Sequence, residues 1–153
     1  MKRVRRPVSP ARLSSRRRLL VNATGLGLWG SGVLWLVFHY FLVRQGEFGP
    51  TADPLEPWWL KLHGALAFLA IWTGGLLWGL HVVNGWKLRR RRKSGAVVLG
   101  LLLVLTVTGY LLYYAGEEGL RSAISLAHWI LGLALPLIYV AHRLAERRHV
   151  PSA

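Results

Sequence analysis

The sequence predicts an all-α membrane protein, a four-transmembrane-helix bundle with its N-terminus and C-terminus on the cytoplasmic side. Three observations carry this expectation. The 153 residues are 53% hydrophobic with a mean hydropathy of +0.35, yet the formal net charge is +14. The apolar residues gather in four runs free of charged side chains, each of the length that crosses a hydrocarbon core of about 30 Å. The basic residues gather between alternate runs, so that one side of the membrane receives nearly all of them.

Residues 1–18 hold eight Lys or Arg, no acid, and two prolines, Pro7 and Pro10. This composition predicts a flexible basic cytoplasmic tail. The four runs are Leu19–Val43, Leu62–Val83, Ala96–Ala115 and Ala123–Ala141. In hydrocarbon the backbone must satisfy its own hydrogen bonds, so each run is expected to be helical. The bundle therefore covers residues 19–145, and residues 146–153 form a second short cytoplasmic tail.

Orientation follows from the loops. The inner segments hold the tail, six basic residues from Lys87 to Lys93, and then Arg143, Arg147 and Arg148. The outer segments hold Arg44, Lys61 and Arg121, together with five of the six acids: Glu47, Asp53, Glu56, Glu117 and Glu118. The positive-inside rule gives one answer. Trp58 and Trp59 fall where an outer aromatic belt is expected, and Trp86 where an inner one is. The same separation of charge from apolar runs argues against a nucleic-acid-binding role.

Two motifs are read as incidental. Ser15-Arg16-Arg17-Arg18-Leu19-Leu20 is similar to a twin-arginine export signal. The uncharged stretch after it runs 25 residues without a small-residue cleavage site, so a retained helix is expected. Gly25-Leu26-Gly27-Leu28-Trp29-Gly30 matches a dinucleotide-binding pattern, but no strand precedes it. Inside a span, Gly25, Gly27, Gly30 and Gly32 instead allow close approach of a helix or a flat ligand.

There is no Cys, and Met1 is the single Met. Thiolate-held clusters, c-type haem attachment and an internal axial Met are therefore excluded. The six His remain. His39 and His149 read as interfacial residues, His39 lying at the outer depth where it could touch a quinone. The other four fall in pairs. His63 and His128 lie near the outer starts of the second and fourth runs, and His81 and His142 near their inner ends. His63 and His81 are 18 residues apart, about five full α-helical turns. His128 and His142 are 14 apart, about 40° out of register. Each helix thus presents two imidazoles on one face. If those faces meet, the bundle contains two stacked His–His pairs, which is the ligand set of b-type haem. Gly74 shares the His63–His81 face and Gly132 lies one turn after His128, leaving room for a macrocycle. Arg44, Lys61 and Arg121 outside, and Lys87, Arg89 and Arg143 inside, are the cations available to propionates. The two pairs span about 27 Å and about 21 Å along their helices, a difference to be absorbed by tilt or by a bend at Gly74-Gly75.

Five segments carry a family resemblance: Leu62-His63-Gly64, Trp78-Gly79-Leu80-His81, Leu105-Thr106-Val107-Thr108-Gly109-Tyr110, Ser125-Leu126-Ala127-His128-Trp129, and His142. Over roughly residues 60–145 the chain resembles the small bacterial b-type cytochromes that anchor formate dehydrogenase, nickel–iron hydrogenase and thiosulfate reductase. In the formate dehydrogenase type, one inner haem ligand comes from the first helix; here the first helix has no His at its inner end, and His81 takes that place. The resemblance implies a multi-pass protein of the bacterial cytoplasmic (inner) membrane with two bis-His haem b groups, an outer one on His63 and His128 and an inner one on His81 and His142. It implies electron transfer across the membrane between quinone and a redox partner, with quinone oxidoreductase activity only inside a complex. Membrane lipid, an extracytoplasmic redox protein or c-type cytochrome facing the acidic outer loops, and a larger complex or homo-oligomer are the expected partners. The alternative is a haem-free structural or assembly subunit, in which the His residues make interhelical hydrogen bonds.

Overall fold

The computed structural model describes residues 14–87 and 92–147. Their order is helix α1 (Ser15–Phe41), strands β1 (Arg44–Gly46) and β2 (Gly49–Thr51), and helix α2 (Glu56–Leu77). A π-helical turn (Trp78–Val82), helix α3 (Val83–Lys87), helix α4 (Arg92–Tyr114) and helix α5 (Glu118–Arg147) follow. The four long helices, α1, α2, α4 and α5, are each long and apolar enough to cross a membrane. They form two antiparallel pairs, α1 with α2 and α4 with α5, and α1 also packs on α5.

Every long helix starts before its apolar run, because polar residues cap or continue it. The first four helical residues, Ser15–Arg18, lie in the segment expected to be tail. Ser14 caps them, its Oγ accepting from the Arg17 N–H at 3.5 Å. The rest of that tail and residues 148–153, His149 among them, lie outside the described residues. Pro57 sits in the first turn of α2, where a missing N–H costs nothing. Glu117 caps α5, its carboxylate accepting from the N–H groups of Gly119 (2.9 Å) and Leu120 (2.8 Å). Arg92 ties the inner connection by donating twice to the Trp86 carbonyl, at 2.9 and 2.7 Å.

Two features differ from the sequence expectation. The outer connection after α1 is a β-hairpin, with Gly46 opposite Gly49 across a Glu47-Phe48 turn. Gly49 has φ 118°, a conformation that side-chain-bearing residues rarely adopt. The irregularity in the second span falls at Trp78–Val82, not at Gly74-Gly75. A π turn takes more residues per turn than an α turn, so the helical phase that aligned His81 with His63 does not carry through it.

The hairpin is pinned by an ion pair. Arg44 Nε donates to Asp53 Oδ2 at 2.8 Å, and the Leu55 N–H donates to Asp53 Oδ1 at 2.9 Å. The Leu55 N–H, and with it Arg44, holds the Asp53 carboxyl below the usual carboxylate range, against the burial that would raise it. The sign is that of a depressed acid: its stabilising contribution is complete above the unfolded value of about 3.9 and is lost as pH falls through the lower folded value. Hydrogen exchange across residues 44–55 is therefore expected to stay unchanged from pH 7 to 5 after correction for intrinsic rates. It should accelerate only well below pH 4, and Asp53→Asn should show the faster exchange at pH 5–7, the difference closing as wild type protonates at low pH.

Among the described residues no apolar residue is buried, whereas Thr24, Ser31, Asp53 and Thr73 are. Large apolar residues such as Phe68 (78% exposed) and Leu137 (74%) point outward from the helices. That is the reverse of a water-soluble domain, in which apolar side chains fill the interior. Thr73 sends its hydroxyl to the Leu69 carbonyl at 2.8 Å, the usual way a hydroxyl is satisfied within an apolar helix.

Candidate functional site

The site is built on two antiparallel helix pairs of the same design. In each, an imidazole on the second helix of the pair rests on a hydroxyl-glycine dipeptide of the first. His63 on α2 faces Ser31-Gly32 on α1, and its Nδ1 lies 3.2 Å from Ser31 Oγ and 3.0 Å from the Leu28 carbonyl oxygen. His128 on α5 faces Thr108-Gly109 on α4, with Nδ1 2.9 Å from Thr108 Oγ1. The glycines are needed for the fit. A Cβ added at Gly32 would stand 3.0 Å from His63 Cε1, and one at Gly109 would stand 3.2 Å from His128 Cε1.

The oxygens around each ring indicate its tautomer. Ser31 Oγ gives its single proton to the Leu28 carbonyl at 2.9 Å, so toward His63 it can only accept. Thr108 Oγ1 gives its proton to the Val104 carbonyl at 2.8 Å, so toward His128 it also accepts. The Leu28 carbonyl can only accept, so neutral His63 carries its hydrogen on Nδ1, and with the Thr108 proton on the Val104 carbonyl His128 is assigned the same tautomer, leaving a bare lone pair on each Nε2. Neither Nε2 makes a hydrogen bond among the described residues, although both side chains are largely withdrawn from solvent.

The two pairs bring these imidazoles together. The His63 and His128 ring centroids are 6.2 Å apart, with planes at 84°. Two imidazoles that each place a nitrogen about 2 Å from one ion have centroids roughly 6 Å apart, so the spacing suits one metal held between them. The donor set, two neutral nitrogens with their distal N–H groups anchored to protein oxygen, is that of an oriented metal ligand. No group of three or more His, Cys, Asp or Glu suited to a bare metal ion occurs among the described residues.

The inner candidates are arranged differently. His142 repeats the seat: its Nδ1 lies 3.0 Å from Ser94 Oγ, and a Cβ on Gly95 would be 3.9 Å from its Cε1. Ser94 and Thr108 are separated by 14 residues on α4, as His142 and His128 are on α5, which the constant register of antiparallel helices requires. His81 lies exposed in the π turn, and no ring contact joins it to His142 among the described residues. Fourteen residues beyond His63 stands Leu77, which with Arg17 lines a recess between α1 and α2. Gly74 has open space where a Cβ would be, and Gly132 faces Leu105 at 3.9 Å. Pro136 lacks the N–H that would otherwise reach the Gly132 carbonyl.

His39 and the cations of the connections after α1 and α4 have local partners. His39 Nδ1 is 2.7 Å from Glu56 Oε1, and its ring stacks on Trp35 at 4.7 Å. Nearby, the Trp59 indole N–H is buried without an acceptor among the described residues. Arg44 is committed to Asp53, Lys61 lies over the Trp58 ring, and Arg121 donates to the Leu112 carbonyl. Arg89 lies outside the described residues.

Ser31, Ser94 and Gly95 are site residues that sequence reasoning did not single out, and Gly32 figures there only as one of four glycines that allow close approach. Their signal is the recurrence of a hydroxyl residue followed by glycine, at a spacing on α4 equal to the His spacing on α5. Comparison with protein-family models, with curated proteins and with solved structures finds no match.

Proposed function

We propose that this protein is an integral membrane b-type cytochrome that carries electrons across the bilayer between quinone and a redox partner protein. In this reading its four long helices cross a bacterial cytoplasmic membrane with both termini inside, as the loop charges direct. Haem b is held between His63 and His128, and a second haem takes His142 with His81. The observation that carries the proposal is the pair of imidazoles from separate helix pairs, each with Nδ1 anchored and Nε2 left as a lone pair, at a separation that suits one shared ion.

When bound, haem iron supplies reversible one-electron chemistry. The chain supplies the rest. Ser31, the Leu28 carbonyl and Thr108 orient the rings and raise the basicity of Nε2. Gly32 and Gly109 let the rings seat against the helix backbone. The apolar helices exclude water and keep the local dielectric low.

A haem-free structural subunit would use the same His residues as interhelical ties, each worth roughly 0.6–2 kcal/mol. It leaves the two Nε2 lone pairs without a role.

One spectroscopic experiment tests the proposal. Protein purified from haem-supplied cells should give a b-type α band on reduction with dithionite, and a quinol analogue should raise the same band within seconds. A colourless protein sinks the cytochrome reading. A band that dithionite raises and quinol never does removes the quinone alone.

A further inference from the structure

Near the inner end of the bundle, α1 and α5 border an open recess of about 360 Å³, lined by Asn22, Tyr139, Val140, Arg143 and Leu144. This falls within the roughly 300–1,000 Å³ of small-molecule sites. Its polar groups are already organised. The Tyr139 hydroxyl donates to Asn22 Oδ1 at 3.1 Å, and Arg143 Nη1 donates to the same oxygen at 3.3 Å. The guanidinium also stands 5.8 Å over the Tyr139 ring. One of five guanidinium N–H donors is thus used to fix Arg143, and the rest of its fork is what binds oxyanions in pairs. Asn22 contributes an amide N–H₂, since its oxygen is taken by the two donors.

Among the described residues no carboxylate lines the recess. Arg18 precedes Asn22 by one helical turn and shares its face. Val140 and Leu144 supply an apolar wall on the same stripe of α5. A ligand that matches all of this carries an oxyanion at one end and hydrocarbon at the other, and lies at the polar end of a membrane-spanning helix. We infer that the Asn22–Tyr139–Arg143 recess binds the phosphate of an anionic glycerophospholipid of the inner leaflet, with an acyl chain along Val140 and Leu144. This rests on the reading that the four helices span a bilayer and is independent of haem. Tyr139 and Arg143 reach α1, whereas His142 reaches Ser94 on α4, so the recess and the His seats occupy different stripes of α5.

The test reconstitutes the full chain in bilayers of equal parts phosphatidylglycerol and phosphatidylcholine, extracts it gently, and counts retained lipid by native mass spectrometry. Wild type should retain phosphatidylglycerol in preference to phosphatidylcholine. Arg143→Gln should reduce that preference about fivefold, the effect of roughly 1 kcal/mol per basic residue at an anionic surface. Lys93→Gln, which removes the same charge from α4 at the same membrane face, should leave it unchanged. Tyr139→Phe removes a single hydroxyl, keeps the fold testable should Arg143→Gln not assemble, and should lower the preference measurably. Equal losses in Arg143→Gln and Lys93→Gln would mean a diffuse basic field and overturn the site. So would an unchanged preference in both recess variants, or an altered haem spectrum with lipid retention intact, which would make Arg143 a propionate partner.

Discussion

Replacing His63 or His128 by Ala is expected to remove the same haem, and with it about half of the haem bound per chain. The reason lies in how the pair is built. Each imidazole reaches the shared position from its own helix pair, His63 from α1–α2 and His128 from α4–α5, so neither can stand in for the other. Loss of one leaves an open iron position, and any residual haem becomes high-spin, a change that the Soret and charge-transfer bands report. The anchors should behave in graded fashion. Thr108→Val keeps the shape of the side chain but withdraws the acceptor from His128 Nδ1, and the outer haem affinity should fall by roughly 10–100-fold. In the two-haem reading His142→Ala and His81→Ala each remove the other haem. If His81→Ala leaves both haems six-coordinate, the inner iron takes its second ligand from elsewhere and the π turn is not a ligand-bearing element. If His63→Ala leaves the haem content unchanged, the outer assignment is wrong whatever the inner one does.

The four long helices were legible because hydrocarbon imposes a single solution on an uncharged run of twenty or so residues. Their ends were not, since Ser14, Pro57 and Glu117 extend helices into polar sequence by capping, which hydropathy does not register. The grouping of His63 with His128 could be read from chain order and direction alone, as each lies near the start of the second helix of its antiparallel pair. What supports their rings could not be. Ser31, Thr108 and Ser94 are ordinary hydroxyl residues until the axial register of two antiparallel helices sets them opposite an imidazole. That register depends on packing between helices rather than on periodicity within one. The phase argument that grouped His81 with His63 assumed an unbroken α-helix, and no Pro or charged residue marks the π turn at Trp78–Val82 in advance. The outer hairpin had a local signal in Gly46-Glu47-Phe48-Gly49, one that composition and charge counts pass over.

Placing valine at Gly32 or Gly109 is expected to abolish outer haem binding while leaving the helices intact. A Cβ at Gly32 would sit 3.0 Å from His63 Cε1, and at Gly109 3.2 Å from His128 Cε1, both closer than ordinary van der Waals contact. The obstruction cannot be relieved by rotating the ring, because its Nδ1 is fixed by the Leu28 carbonyl on one side of the pair and by Thr108 on the other. Either the imidazole moves off its acceptor or the two helices separate, and overpacking of this kind costs roughly 1–3 kcal/mol. A helix pair can absorb that cost and remain folded. A ligand whose nitrogen must lie about 2 Å from iron cannot absorb the accompanying displacement. Gly32→Val and Gly109→Val should therefore yield helical protein with the outer haem lost or high-spin, whereas Gly32→Ala should retain it at reduced affinity. Gly100→Val on α4, where a Cβ meets nothing within 4 Å, should keep the wild-type spectrum. Circular dichroism and pyridine haemochrome analysis on the same samples separate the two effects. Full haem content in Gly32→Val would mean that His63 binds from a position other than the Ser31-Gly32 seat, and the pairing of hydroxyl, glycine and imidazole would then be a packing motif without a role in ligation.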